Sequence, residues 1–227
     1  MNYSNSLTAD ESRGLFICLE GIDGAGKTTQ CDHLKQWAEA RDISCDIIGW
    51  DAAHESEMIR ELTHSPLADY DDAALAMLFS AQRITLARVV KDSWAKHDLV
   101  ISDRWLMSTL VYQAFCGSAD TDLVYSCHKH GAKILPDIGI YLDIDGETSK
   151  QRKLEQFGDQ AGQDRFERHD AAWFDHIRLG YCEVAEQINY HRIDASQKFD
   201  KVFEDILEAC NEHARFTHMI AGHVSTT

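Results

Sequence analysis

Apolar residues follow two spacings along this chain. Short apolar runs of strand length occupy Leu15–Glu20, Ser44–Gly49, Leu99–Ser102 and Ile138–Ile144, and a fifth short strand is predicted at His191–Asp194. Between them lie stretches with helical spacing. Over Asp72–Lys96, residues Leu75, Leu78, Phe79, Leu86, Val89, Val90 and Trp94 recur near every 3.6 positions. Helices are also predicted over Thr28–Arg41, Glu55–His64, Met107–Ala114, Asp122–His130, Arg168–Asn189 and Lys198–His213, the last with Val202, Ile206 and Leu207 on one face. Asp145 is placed to cap a helix running to about Leu154. Strands alternating with helices predict an α/β architecture of three layers, a central parallel five-stranded sheet with helices on both faces. Ligands of such sheets sit at the carboxyl ends of the strands.

The length of 227 residues fits a single domain of this kind. Residues 1–13 read as a flexible arm and about 215–227 as a flexible tail, with no repeat or linker between. The net charge of −16, from 38 acidic and 22 basic residues, argues against a nucleic-acid polymer or an anionic membrane as partner. No apolar run approaches membrane-spanning length. The seven cysteines are scattered, with no Cys-x-x-Cys pair, which fits a reducing, cytoplasmic setting. Cys116, Cys127, His128 and His130 match no standard zinc spacing.

The most informative segment is Gly21-Ile22-Asp23-Gly24-Ala25-Gly26-Lys27-Thr28, followed by Thr29. It follows a predicted strand and opens a predicted helix, which is where a phosphate-cradling loop must lie. Its backbone N–H groups and the helix N-terminus supply donors to phosphate oxygens. The glycines allow dihedrals closed to larger residues. Lys27 can reach the outer phosphates, and the Thr28 hydroxyl can ligate Mg²⁺. The third strand ends in Asp103-Arg104. Asp103 at that place can hold the hydration shell of the metal, and Arg104 can fork onto a phosphate. Asp23 is a further acid near the metal, or a turn former. Together these residues predict binding of a nucleoside triphosphate with Mg²⁺, and ATP is the expected phosphoryl donor.

Glu20 through Gln30 resembles the opening of thymidylate kinases. Asp103-Arg104 with Ser108, Tyr112 and Gln113 is similar to a second segment of that family. Pro136–Asp143, Asp164–Glu167 and Ile193–Ala195 resemble its fourth strand, lid and fifth strand, so the likeness runs from about Leu15 to His213. The resemblance implies a P-loop kinase fold with a small lid at about 151–167, nucleotide substrates and a homodimer. It implies that Arg104 bridges acceptor and donor phosphates, with Lys27, Asp23 and Asp103 completing the catalytic set. It places Phe79 on the acceptor base, with Arg83 one helical turn away. Ser108, Thr109, Tyr112 and Gln113 then line the acceptor pocket, and Asp23 and Trp50 are counted with them. Arg152 and Arg165 are the lid arginines that serve ATP.

The chain departs from the family pattern in two places. After the second strand, many relatives carry an arginine near the acceptor phosphate, and this chain reads Ile48-Gly49-Trp50-Asp51-Ala52-Ala53-His54. The lid carries few basic residues: Arg152, Lys153 and Arg165 among several acids. The leading expectation is phosphorylation of dTMP or a related or modified dUMP to the diphosphate. A second is a deoxynucleoside kinase that uses Asp51 as base on a free 5′-hydroxyl. A third is a P-loop ATPase or switch that acts on a protein partner.

Overall fold

The computed structural model describes residues 13–64, 70–157 and 171–224. The five predicted strands are all present: β1 (Leu15–Glu20), β2 (Cys45–Ile48), β3 (Leu99–Asp103), β4 (Ile138–Asp143) and β5 (His191–Asp194). They form one parallel sheet in the order β2-β3-β1-β4-β5. Every residue of β1 and β4 is buried. Helices cover both faces, which is why these strands read as continuous apolar runs instead of alternating ones.

The helices are α1 (Lys27–Glu39), α2 (Ser56–His64), α3 (Asp72–Trp94), α4 (Leu106–Thr109), α5 (Thr121–Cys127), α6 (Gly146–Phe157), α7 (Ala171–Ile188), α8 (Phe199–Asn211) and α9 (Ala214–Val224). Helices α1 and α8 touch each other and the sheet, α1 against β1–β3 and α8 against β4 and β5. Helices α3, α4 and α7 form another connected set, with α3 on β2 and β3 and α7 on β4 and β5. The strand order runs outward in both directions from β3 and β1. The loops after these two strands therefore open side by side at the carboxyl edge.

Local chemistry accounts for several boundaries. Asp71 caps α3 by accepting from the Ala73 N–H, and the Asp145 carboxylate accepts from the Thr148 N–H at 2.7 Å at the start of α6. After α4 the chain continues helically over Leu110–Phe115 with widened turns. The Cys116 N–H reaches back five residues to the Val111 carbonyl.

Three expectations need correction. The tail from Ala214 is not loose: it forms α9, whose Phe216 is fully buried and stacks on Trp37 at 5.8 Å. Its apolar positions, Phe216, Met219 and Ile220, are too few and too mixed with His and Thr to declare an amphipathic helix by pattern alone. The first part of the segment taken as lid, Gln151–Phe157, continues α6. Helix α3 is long and apolar enough to cross a membrane by length and composition. It packs along β2 and β3 as one layer of the domain. Residues 1–12, Pro66, residues 158–167 and 225–227 lie outside the described residues.

Candidate active site

The turn from β1 into α1 is built by its glycines. Gly24 and Gly26 have φ of 80° and 87°, in the left-handed region that costs other residues energy. A side chain at Gly24 would press on the Ser149 carbonyl oxygen at 2.8 Å. At Gly26 an added Cβ would meet nothing within 4 Å, so this position borders open space. Gly26 is also the N-cap of α1 and has no side chain to satisfy the first N–H groups of the helix. Those donors, with the positive end of the helix dipole, are left for an anion. Ile22 and Ala25 are buried and anchor the turn from below, joined by an Ala25 N–H to Ile22 carbonyl bond of 3.2 Å. Helix α6 braces it from the side. Ser149 donates to the Asp23 carbonyl at 2.7 Å, and Arg152 donates to the Gly24 carbonyl at 3.3 Å and the Ala195 carbonyl at 2.8 Å.

Lys27 is buried, donates to the Ile22 carbonyl at 3.0 Å and lies 3.8 Å from the Asp23 carboxylate. Burial, followed by the nearby Arg104 charge, lowers its pKa despite the raising influence of Asp103 and Asp23. An incoming polyanion relieves that strain. Burial pushes the Asp23 carboxyl up, but Arg104, Lys27 and Lys153 outweigh it and hold the group well below the usual carboxylate range. The Thr28 hydroxyl donates to Asp103 Oδ2 at 2.6 Å. A hydroxyl and a carboxylate side by side at the mouth of the phosphate loop form a hard-oxygen donor set of the kind Mg²⁺ takes.

Arg104 leaves β3 with φ of 74°, and its side chain turns back over the phosphate loop. It donates to the Gly21 carbonyl at 2.9 Å and forms an ion pair with Asp23. Arg104 is one of the residues that line a single cavity of about 890 Å³. The lining includes residues 23–29 of the loop, Arg152 and Lys153 of α6, and Gln197 and Phe199. It also includes Trp50 and Asp51 after β2, Phe79 and Arg83 of α3, and Ser108, Thr109, Tyr112 and Gln113. Gly21 and Ile22 are not part of the lining. A cavity lined by a glycine-rich loop, by Arg104 and by an aromatic and basic helix face can take two phosphate-bearing ligands together.

A family model described as thymidylate kinase matches residues 19–206. The chain belongs to the thymidylate kinase family. It is 32% identical over 211 residues to a thymidylate kinase of Synechococcus sp. strain CC9605, covering 88% of this chain and 98% of that one. It is 32% identical over 197 residues to a probable thymidylate kinase of Methanocaldococcus jannaschii, covering 85% and 94%. It is 34% identical over 201 residues to one of Methanosphaera stadtmanae, covering 85% and 95%. The architecture is the P-loop kinase fold of thymidylate kinases, and the protein is a nucleoside monophosphate kinase, a phosphotransferase acting on nucleotides.

Several of the residues that line the cavity between Trp50 and Gln113 are firmly held. Arg83 is buried, donates to Thr109 Oγ1 at 3.3 Å and lies over the Trp105 ring at 5.4 Å. The turn Trp50–Ala52 is pinned through the Trp50 carbonyl, which accepts from Ser56 Oγ and Gln82 Nε2, both at 2.8 Å. The Asp51 carboxylate folds back against Gly49 and is exposed. Ser108 lines the cavity, but its hydroxyl donates to Glu20 Oε2 at 2.5 Å. Arg165 lies outside the described residues. Among the described residues no group of three His, Cys, Asp or Glu is placed to hold a metal. His128 is buried edge-on to Trp105, and burial drives its pKa down to about 4.

The sequence gives no role to Glu20 or Tyr181, and it offers Lys153 only as one of the few basic residues of the lid. Glu20 ends a buried strand, accepts from the Trp105 N–H at 2.6 Å, and fixes the turn after β3. Lys153 is buried and reaches the loop acid from α6. Tyr181 of α7 meets Arg104 from a distance of 77 residues along the chain. An acid closing an apolar strand was the one available signal. The other two look like ordinary helix residues.

Proposed function

We propose that the protein transfers the terminal phosphoryl group of Mg²⁺–ATP to a pyrimidine deoxynucleoside monophosphate, dTMP or a modified dUMP. The observation that carries this reading is the position of Arg104. It is anchored to the phosphate loop at Gly21 and Asp23 and lines the same cavity as the loop and as Phe79 and Arg83. The relatives' names supply the thymidylate acceptor. Phe79 and Arg83, one turn apart on α3, both line the cavity and give a base both a stacking surface and a cationic donor.

Phosphoryl transfer needs positioning and charge neutralisation more than covalent chemistry. Gly24–Thr29 hold the donor phosphates, with Lys27 at the outer end. Thr28 and Asp103 hold Mg²⁺, which when bound neutralises phosphate charge. Arg104 offers planar N–H groups to both the leaving and the attacking phosphate. Arg152 of α6 lines the cavity beside the loop and serves the donor phosphates; Arg165, expected to serve them too, lies outside the described residues. Exposed Met77 and Ile84, seven residues apart on α3, supply apolar surface for pairing two copies; light scattering that gives a monomer at working concentration removes that part of the reading.

The Asp51 alternative is separable. A base acting on a nucleoside 5′-hydroxyl cannot be lost without losing turnover. Asp51→Asn is expected to keep or raise turnover of the monophosphate, because it removes a negative charge beside the acceptor phosphate. Loss of turnover in this variant, with a nucleoside as the only working acceptor, refutes the monophosphate reading.

A further inference from the structure

We propose that Tyr181 is a positioning residue for phosphoryl transfer, holding the Arg104 guanidinium in place through a directed hydrogen-bond chain that ends on Glu20. Arg104 Nη1 lies 2.9 Å from the Tyr181 hydroxyl and 3.0 Å from Ser108 Oγ, and these two oxygens are 2.9 Å apart. The direction of the chain follows from counting hydrogens. Ser108 has one hydroxyl hydrogen, and it goes to Glu20 Oε2 at 2.5 Å. The Tyr181 hydroxyl must then donate to Ser108, which turns its lone pair toward Arg104. The order is Arg104 to Tyr181 to Ser108 to the Glu20 carboxylate, each donating to the next.

The parts of this chain are rigid. Tyr181 is fully buried, stacked on Tyr141 at 5.2 Å and 9° and edge-on to Tyr112 at 6.1 Å and 84°. Burial raises its pKa well above that of a free phenol, so the hydroxyl keeps its proton and stays a donor. Glu20 is also fully buried and is fixed by the Trp105 and Ser108 N–H groups at 2.6 and 3.2 Å. Arginine has a long, flexible stem. Here the two Nη1 hydrogens are shared among Tyr181, Ser108 and Gly21, and Nη2 is tied to Asp23. What remains is the Nε–H and the second Nη2 hydrogen, directed from a fixed plane. Pre-setting that plane lowers the reorganisation needed as phosphate charge develops.

This inference rests on the kinase activity of the family and not on which monophosphate is the acceptor, so it is tested with whichever one the wild-type enzyme turns over. Tyr181→Phe removes only the hydroxyl and keeps the stacked ring. It is expected to lower kcat about 10- to 50-fold, as loss of a hydrogen bond to a charged group does, with both KM values within about twofold. The deciding readout is a double-mutant cycle. In an Arg104→Ala background the same change is expected to cost less than about twofold, because Tyr181 then has nothing to position. Ser108→Ala, which removes the hydroxyl that Tyr181 donates to, gives the same non-additive pattern and serves if Tyr181→Phe fails to fold. The Arg104 Nε–H resonance, followed in the nucleotide-free protein by ¹⁵N NMR, is expected to broaden or shift in Tyr181→Phe, independently of turnover. Unchanged kcat in Tyr181→Phe, or an equal loss with and without Arg104, overturns the proposal.

Discussion

Replacing Gly26 by alanine separates the cost of a strained backbone from the cost of a blocked phosphate site. Its φ of 87° and ψ of 14° lie in the left-handed region, where a Cβ costs about 1–2 kcal/mol. No atom lies within 4 Å of the added methyl, so no collision with the protein adds to that figure. For a domain of this size the melting temperature is expected to fall by about 2–8 °C. Gly26 lines the cavity, and on the proposed placement of the donor the methyl takes up space meant for a phosphate oxygen. Loss of one or two charge-assisted hydrogen bonds, at about 1.5–3 kcal/mol each, weakens donor binding by at least about tenfold. Thermal melting by circular dichroism and titration calorimetry with Mg²⁺ and a non-hydrolysable ATP analogue read the two quantities separately. Gly24→Ala is the contrasting control: its Cβ would lie 2.8 Å from the Ser149 carbonyl, so its loss of stability should exceed that of Gly26→Ala. A Gly26→Ala protein that binds the analogue with wild-type affinity refutes the placement of the phosphates.

Lys27→Ala is expected to lose turnover by orders of magnitude while its melting temperature stays within a few degrees, since among the described residues the buried ammonium has one hydrogen bond and a 3.8 Å ion pair with Asp23 to lose. Wild-type turnover in this variant contradicts its role. Asp143 is buried at the end of β4, where burial pushes its carboxyl up but bonds from Arg178 and Arg192 at 2.6–3.0 Å hold the pKa below normal. Its contribution is therefore present above the unfolded value near 4 and lost as pH falls through the depressed folded value. Asp143→Asn is expected to cost about 1–3 kcal/mol at pH 7 and progressively less below pH 4, read from urea unfolding across pH. A pH-independent difference contradicts this. Phe216→Ala, in the terminal helix, is expected to destabilise by about 3–5 kcal/mol; a change under 1 kcal/mol means that α9 does not dock as described.

The parts of the molecule that were legible in the sequence are those whose physics is local. A strand buried on both faces must be a short apolar run, and β1 and β4 could be read directly. The phosphate loop is a contiguous device of nine residues whose glycines have no other economical use between a strand and a helix. The less legible parts depend on contacts between distant positions. Glu20, Ser108 and Tyr181 are separated by 88 and 73 residues, and nothing around any one of them marks its partners. Ser108 was expected in the acceptor pocket. It does line the cavity, but its hydroxyl is turned to Glu20 because a buried carboxylate must be satisfied first. Helix α9 was missed because what docks it is tertiary: Phe216 stacks on Trp37 of α1 and Arg215 pairs with Asp137 at 3.1 Å, contacts that periodicity does not record.

The most direct test is to incubate the purified protein with Mg²⁺ and γ-labelled ATP against a panel of acceptors, and to identify the labelled product by mass. The panel holds dTMP, dUMP, 5-substituted dUMP analogues, the other monophosphates and the free nucleosides. The account predicts label at the β-position of a diphosphate formed from a pyrimidine deoxynucleoside monophosphate. It is contradicted by label appearing only in a monophosphate made from a nucleoside, or only as inorganic phosphate released at a rate that no acceptor changes.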